Sequence, residues 1–238
     1  IQANAVIQNI LPQKLAEKFR QLAQKGLGQD IDLETGMMLI MEFGYPNSDP
    51  EEFRQKLDEL AQNFADSLNP EAEPPEIVAT FTHFLFQQKG FKGNKDDYQS
   101  PDNSFLNKVL DNQTGLPITL SAICVLLAKR LNLPIVGVGM PGHYIVKYSL
   151  PIKPIYFDPF HQGRLLTKKE CIQIVEQFGH SFEEHFLSQA TQRETLIRML
   201  NNLIQVYKKS NETKKAETLA EYIKILLNPS KDQQSERT

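Results

Sequence analysis

The chain is 238 residues long, enough for one large domain or two small ones with a sizeable core. Its 26 basic and 29 acidic residues leave a net charge of −3, and with no long run of Lys or Arg the balance excludes nucleic acid as an expected partner. The longest mainly apolar run, Ile118 to Ala128, is too short to span a bilayer and is interrupted by Thr119 and Ser121, so no membrane partner is expected.

The chain opens on Ile1-Gln2-Ala3-Asn4-Ala5, which has neither the positive start nor the apolar stretch of a signal peptide. It also lacks an initiating methionine, so a chain trimmed at its start is expected. Leu15, Phe19 and Leu22 recur at helical spacing before Lys25-Gly26, and a second helix is predicted from Leu33 through Met41 to a stop near Gly44-Tyr45-Pro46. Asp49 as N-cap, Pro50 at the first helical position and Glu52 closing a capping box predict a third helix, with Phe53, Leu57, Leu60, Phe64 and Leu68 on one stripe. Asn69 to Pro75 reads as a connector, and a helix bearing Ile77, Val78, Phe81, Phe84 and Leu85 follows, ending near Gly90.

Gly90 to Pro101 is polar and turn-rich and leads to Asp102-Asn103-Ser104, predicted to cap a short helix carrying Phe105, Leu106, Val109 and Leu110. The apolar helix opened by Pro117 comes next; proline fits a first turn, where its missing N–H would have no intrahelical partner. Three antiparallel strands are predicted at Ile135-Val136-Gly137-Val138, Tyr144 to Tyr148 and Ile155-Tyr156-Phe157. Thr167-Lys168-Lys169-Glu170 is a capping box for a helix through Phe178-Gly179, and Ser181-Phe182-Glu183-Glu184 is read as opening another. Two amphipathic faces, Leu196 to Tyr207 and Ala216 to Leu226, flank a turn at Ser210-Asn211. Such a pair cannot bury both of its faces alone and needs a surface to pack on. Residues 230–238 are expected to be disordered.

Several segments together resemble the transglutaminase-like core: Gly115-Leu116-Pro117-Ile118-Thr119-Leu120, Lys129-Arg130-Leu131-Asn132-Leu133-Pro134, Pro141-Gly142-His143-Tyr144 and Tyr156-Phe157-Asp158-Pro159-Phe160. More narrowly, Asn103-Ser104-Phe105-Leu106, Gly137-Val138-Gly139-Met140-Pro141-Gly142-His143 and Asp158-Pro159-Phe160 resemble the SirB-type branch, whose known members lack the family's cysteine. The C-terminal helix pair resembles a tetratricopeptide unit. In the transglutaminase-like family a Gly-x-Cys tripeptide opens a helix, the next strand delivers a histidine and a later strand an aspartate. The resemblance puts that cysteine at Pro117, the histidine at His143 and the aspartate at Asp158.

A thiolate at a helix start is stabilised by the helix dipole and free N–H groups, with histidine as base and aspartate fixing its tautomer. Pro117 has no nucleophilic group, so covalent acyl transfer has no agent there. His143 and Asp158 are either a remnant dyad facing a groove or a hydrogen bond that stabilises the sheet. Cys124 lies two turns beyond Pro117 among apolar neighbours and reads as a core residue. Cys171, in the first turn of its helix, reads as structural with a thiolate modestly favoured. Thr119 and Ser121 are the hydroxyl candidates, with satisfaction of local backbone groups as their simpler role. Asn103 and Ser104 read as caps, while Arg164 is a candidate to present its guanidinium to a carboxylate at a groove rim. Asp158 with His161 and His143 is the candidate metal set, but an Asp-x-x-His spacing in a turn has no closed ligand count and no helical i, i+4 pair behind it, so neither metal nor cofactor is expected.

The expected fold is α+β: a papain-like or transglutaminase-like core, its helix packed on a small antiparallel sheet, with flanking α-helices. The expected divisions are an N-terminal helical region at 1–72, the core at 73–190, the helix pair at 191–229 and the tail at 230–238. Two distant cysteines in a chain with ample apolar content point to a reducing compartment and hence the cytoplasm. The leading expectation is a noncatalytic module that binds a protein or peptide, with a putative groove of Asn103, Thr119, Ser121, His143, Asp158 and Arg164. The alternative is a hydrolase or acyl transferase that uses a displaced nucleophile with His143 and Asp158, or a metal-assisted enzyme built around the same two residues.

Overall fold

The computed structural model describes residues 2–229, with side chains from Ile10 onward; the C-terminal tail expected at 230–238 lies outside the described residues. In chain order the helices are α1 (Gln2–Lys25), α2 (Leu33–Gly44), α3 (Pro50–Ala65) and α4 (Pro74–Thr82), the last continuing into a π-helical turn at His83–Gln88. Strand β1 (Lys92–Gly93), a 3-10 turn (Pro101–Ser104), α5 (Leu106–Asn112) and β2 (Thr114–Gly115) lead to α6 (Pro117–Arg130). Strands β3 (Ile135–Val138), β4 (Ile145–Tyr148), β5 (Ile155–Asp158) and β6 (Arg164–Leu166) follow, with a 3-10 turn at Pro159–His161 between the last two. The described chain closes with α7 (Lys168–Gln177), a 3-10 turn (Glu184–Leu187), α8 (Gln192–Lys209) and α9 (Thr213–Leu227). No helix among the described residues is long and apolar enough to cross a membrane.

The chain forms two compact units, Ile1–Ser48 with Thr191–Thr238, and Asp49–Ala190. In the first, α1, α2, α8 and α9 pack on one another, so the C-terminal pair finds its covering surface on the N-terminal helices. Phe19 stacks on Tyr222 with ring centroids 4.6 Å apart, and the Tyr222 hydroxyl donates to the carbonyl of Pro12, inside α1. The two helix starts cap each other: Asp30 accepts from the backbone N–H groups of Gln192 and Arg193, while the Gln192 side chain accepts from Leu33 N. These contacts join segments 159 to 163 residues apart, which is why α1 and α2 share a unit with the C-terminal pair while α3, placed with them from sequence, packs on α5 and α6.

The second unit is built around α6. Eleven of its residues are buried, which fits a helix apolar on all sides that runs through a core. It packs on α3, on β3 and β4, and on the turn at Pro159–His161. Arg130 at its end pairs with Asp58 of α3 at 2.5 Å. The sheet is antiparallel in the order β3-β4-β5-β6, four strands where sequence gave reason to expect three. Neighbours on β5 point to opposite faces. Tyr156 joins a cluster with Val138, Ile145, Leu166, Cys171 and Val175, while Phe157 meets Phe81 in an aromatic group that continues to Phe64 and Phe84. β1 and β2 form a separate parallel pair.

Local chemistry departs from expectation at three helix starts. The Asp49 carboxylate accepts from Glu51 N, so α3 opens on an Asx cap without the expected capping box. Pro101–Ser104 is a 3-10 turn, and α5 begins at Leu106 after Phe105 as N-cap, with no side-chain cap. The segment from Ser181 condenses to the single turn Glu184–Leu187. At Thr167 the capping box with Glu170 is present as read, and Thr191 with Glu194 supplies a second at α8.

Candidate functional site

The antiparallel register that sets Val146 opposite Phe157 brings the residues just before β4 alongside the end of β5. Asp158, the last residue of β5, turns the chain itself: its Oδ1 accepts from Phe160 N at 3.0 Å and His161 N at 3.3 Å, an Asx-type cap on the 3-10 turn. Gln162 and Gly163 then take positive φ and reverse the chain into β6. A side chain at Gly163 would collide with the Phe86 ring, which the wide π-helical turn places beneath it.

His143 follows Gly142, whose φ of +73° suits glycine and whose missing Cβ admits the ring of Phe178 from the end of α7. Nε2 of His143 lies 2.7 Å from Asp158 Oδ2, and Nδ1 of His161 lies 2.8 Å from the same oxygen. Phe160 stands edge-on to both imidazoles, with centroids 6.4 Å from His143 and 5.3 Å from His161. Asp158 and His143 are buried, whereas the His161 side chain is 46% exposed. Burial pushes the Asp158 carboxyl up, but the hydrogen bonds and charges of His143 and then His161 outweigh it and hold it below the usual carboxylate range. An ionised carboxylate accepts only, so each ring nitrogen facing Oδ2 carries the hydrogen.

These groups form one wall of a cleft of about 680 Å³ lined by Tyr98, Pro117, His143, Asp158, Phe160, His161 and Arg164, together with residues of α7 and Phe178. Of the expected groove residues, His143, Asp158 and Arg164 reach the cleft, as does Pro117 at the start of α6; Asn103, Thr119 and Ser121 do not line it. Thr119 and Ser121 are fully buried, and neither hydroxyl has a hydrogen-bond partner among the described residues, so they do not make the local backbone bonds read from sequence. Asn103 ties down a loop: its side-chain N–H groups donate to the carbonyls of Asp97 and Tyr98 and its Oδ1 accepts from Asn94. It thereby fixes the loop that carries Tyr98 to the rim. Ser104 Oγ is buried without a partner among the described residues, so it caps nothing. The Arg164 guanidinium pairs with Glu170 across the rim.

Both cysteines are free and buried. Burial pushes the Cys124 thiol far up. Burial, followed by the charges of Glu170 and Asp158, pushes the Cys171 thiol up to about 11, which reverses the expectation of a favoured thiolate there. The residue that sequence reasoning set aside is His161. It lies one 3-10 turn beyond Asp158, and only the folded turn shows its ring converging on the carboxylate.

Residues 51–201 match the transglutaminase-like superfamily. A UPF0162 protein of Xylella fastidiosa (strain 9a5c) is 33% identical over 205 residues, covering 82% of this chain and 72% of that protein. The UPF0162 protein of Pseudomonas aeruginosa is 28% identical over 70% of this chain and 62% of its own length. Human F-box only protein 21 is 27% identical over 66% of this chain, a stretch that makes up 26% of that larger protein. No solved structure matches the chain. A helix opened at Pro117, a histidine before β4 and an aspartate closing β5 follow the order of a transglutaminase-like core, and the chain belongs to that superfamily and to its UPF0162 proteins.

Proposed function

We propose that the protein is a noncatalytic binding module whose cleft receives an extended peptide segment of a protein partner. The observation that carries this reading is the composition of the cleft wall. Among the described lining residues there is no cysteine, serine, threonine or lysine, and the helix start that would hold a nucleophile is Pro117. The hydroxyls and thiols read from the sequence as candidates, Thr119, Ser121, Cys124 and Cys171, are all buried. A dyad with nothing to activate leaves the cleft a shape for recognition.

Its rim suits a peptide. Tyr98 and Phe178 are exposed aromatic side chains, and Gln173, Gln177 and the Arg164–Glu170 pair offer donors and acceptors to a main chain. The motif resemblance to the SirB-type branch and the tetratricopeptide-like helix pair α8–α9 agree with a protein-binding role. Two reduced, buried thiols agree with a cytoplasmic setting.

The test is selection of displayed random peptides on the full chain, followed by measured affinities for variants. Tyr98→Ala and Phe178→Ala each weaken a selected peptide at least about tenfold, the loss expected of an anchoring aromatic, while Ile152→Ala, exposed outside the cleft, does not. A peptide that binds equally well to all three variants contradicts the reading, as does failure to select any.

A further inference from the structure

We propose that His143, Asp158 and His161 form a binding site for one divalent transition-metal ion, independent of whether the cleft also receives a peptide. One ligand atom from each of the three side chains lies within 4.8 Å of the others. The atoms that converge are His143 Nε2, His161 Nδ1 and Asp158 Oδ2, with both nitrogens 2.7 to 2.8 Å from the oxygen. Without a cation, two N–H groups aim at one carboxylate oxygen. With one, each neutral ring takes its other tautomer, so the proton moves to the far nitrogen and a lone pair is left where the N–H stood. The two lone pairs then converge with the carboxylate oxygen, all three ligand atoms within 4.8 Å of one another, and an ion seated among them replaces the two hydrogen bonds.

The surroundings are those of a supported site. Asp158 is anchored through its other oxygen by two backbone N–H groups, which leaves Oδ2 to the ligand side. Phe160 packs against both rings and restricts their rotation. All three side chains line the cleft, so coordination positions beyond the three protein ligands open on it, in the manner of three-ligand sites that keep a place for water or a bound group. Two imidazoles and one carboxylate, with no thiolate, favour Zn²⁺, Co²⁺, Ni²⁺ or Fe²⁺ over Ca²⁺ or Mg²⁺, which prefer all-oxygen shells, and over Cu⁺, which prefers sulfur.

The full chain, stripped with a chelator and dialysed, is titrated with Co²⁺ alone and read by calorimetry and by visible absorbance. The expected result is one ion per chain, displaced by Zn²⁺, in the wild type and in a variant with Ala at the three histidines outside the site, His83, His180 and His185. His161→Ala loses that ion, and so does His161→Gln, which keeps a polar side chain in the turn; circular dichroism verifies that the fold persists. Absence of saturable uptake overturns the proposal. Uptake that survives both His161 variants, or that disappears in the variant lacking His83, His180 and His185, overturns it as well.

Discussion

His143 Nε2 and Asp158 Oδ2 stand 2.7 Å apart, held at the end of β5 by a carboxylate whose other oxygen is committed to the backbone of its own turn. That arrangement fixes the imidazole with Nδ1 as its basic nitrogen, the orientation in which a histidine accepts a proton from a nucleophile. The preserved geometry and the proline at the start of α6 together lead to distinct expectations.

Introducing a thiol at the start of α6 tests whether the site is arranged for chemistry. In Pro117→Cys the new side chain sits at a helix N-terminus beside the cleft, where the dipole and the histidine favour the thiolate. The pH dependence of its alkylation is expected to show an inflection clearly below the ordinary thiol value of about 8.5, moving back toward it in Pro117→Cys/His143→Ala. The native cysteines do not obscure the signal, since Cys124 and Cys171 are buried with raised thiol pKa values. An inflection near the ordinary value and indifferent to His143 contradicts the arrangement.

Asp158 links the site to stability. Its carboxyl is held below the usual range in the fold, so on acidification the unfolded chain takes up a proton first. Its contribution is complete above the unfolded value of about 3.9 and is lost as pH falls through the lower folded value. Urea unfolding of wild type and Asp158→Asn should therefore differ most near neutrality and converge as the pH drops below about 4. A difference that stays constant down to that range contradicts the linkage.

The buried hydroxyls on α6 give a prediction of opposite sign. Thr119 Oγ1 has no hydrogen-bond partner among the described residues and sits in a fully buried position, so its desolvation is uncompensated. Thr119→Val keeps the branched shape and removes the polar atom. It is expected to stabilise the protein by about 1 kcal/mol in urea melts, whereas a hydroxyl engaged with a ligand or backbone group would make the same change destabilising.

The parts of this architecture governed by neighbouring residues were legible in sequence. A continuous apolar run opened by a first-turn proline located α6, the Thr167–Glu170 box marked the start of α7, and β-branched runs gave β3, β4 and β5. β6 was not, because Arg164 and Leu165 are exposed and only Leu166 is buried, leaving no alternation to read. The division into units was hidden for a different reason: Asp30 and Gln192 meet across the whole length of the second unit, and no local pattern records that pairing. At the site, His143, Asp158 and Pro117 could be placed by their order along the chain. His161 depended on the curl of a 3-10 turn, and the burial of Thr119 and Ser121 on the tertiary packing that covers this part of α6 on every side.

The most direct test of the noncatalytic reading is intact-mass analysis of the full chain after treatment, at neutral pH, with electrophilic probes for nucleophilic thiols and hydroxyls. The expected result is no stoichiometric adduct, in wild type and His143→Ala alike. One adduct per wild-type chain that disappears in His143→Ala would show that the imidazole activates a nucleophile after all.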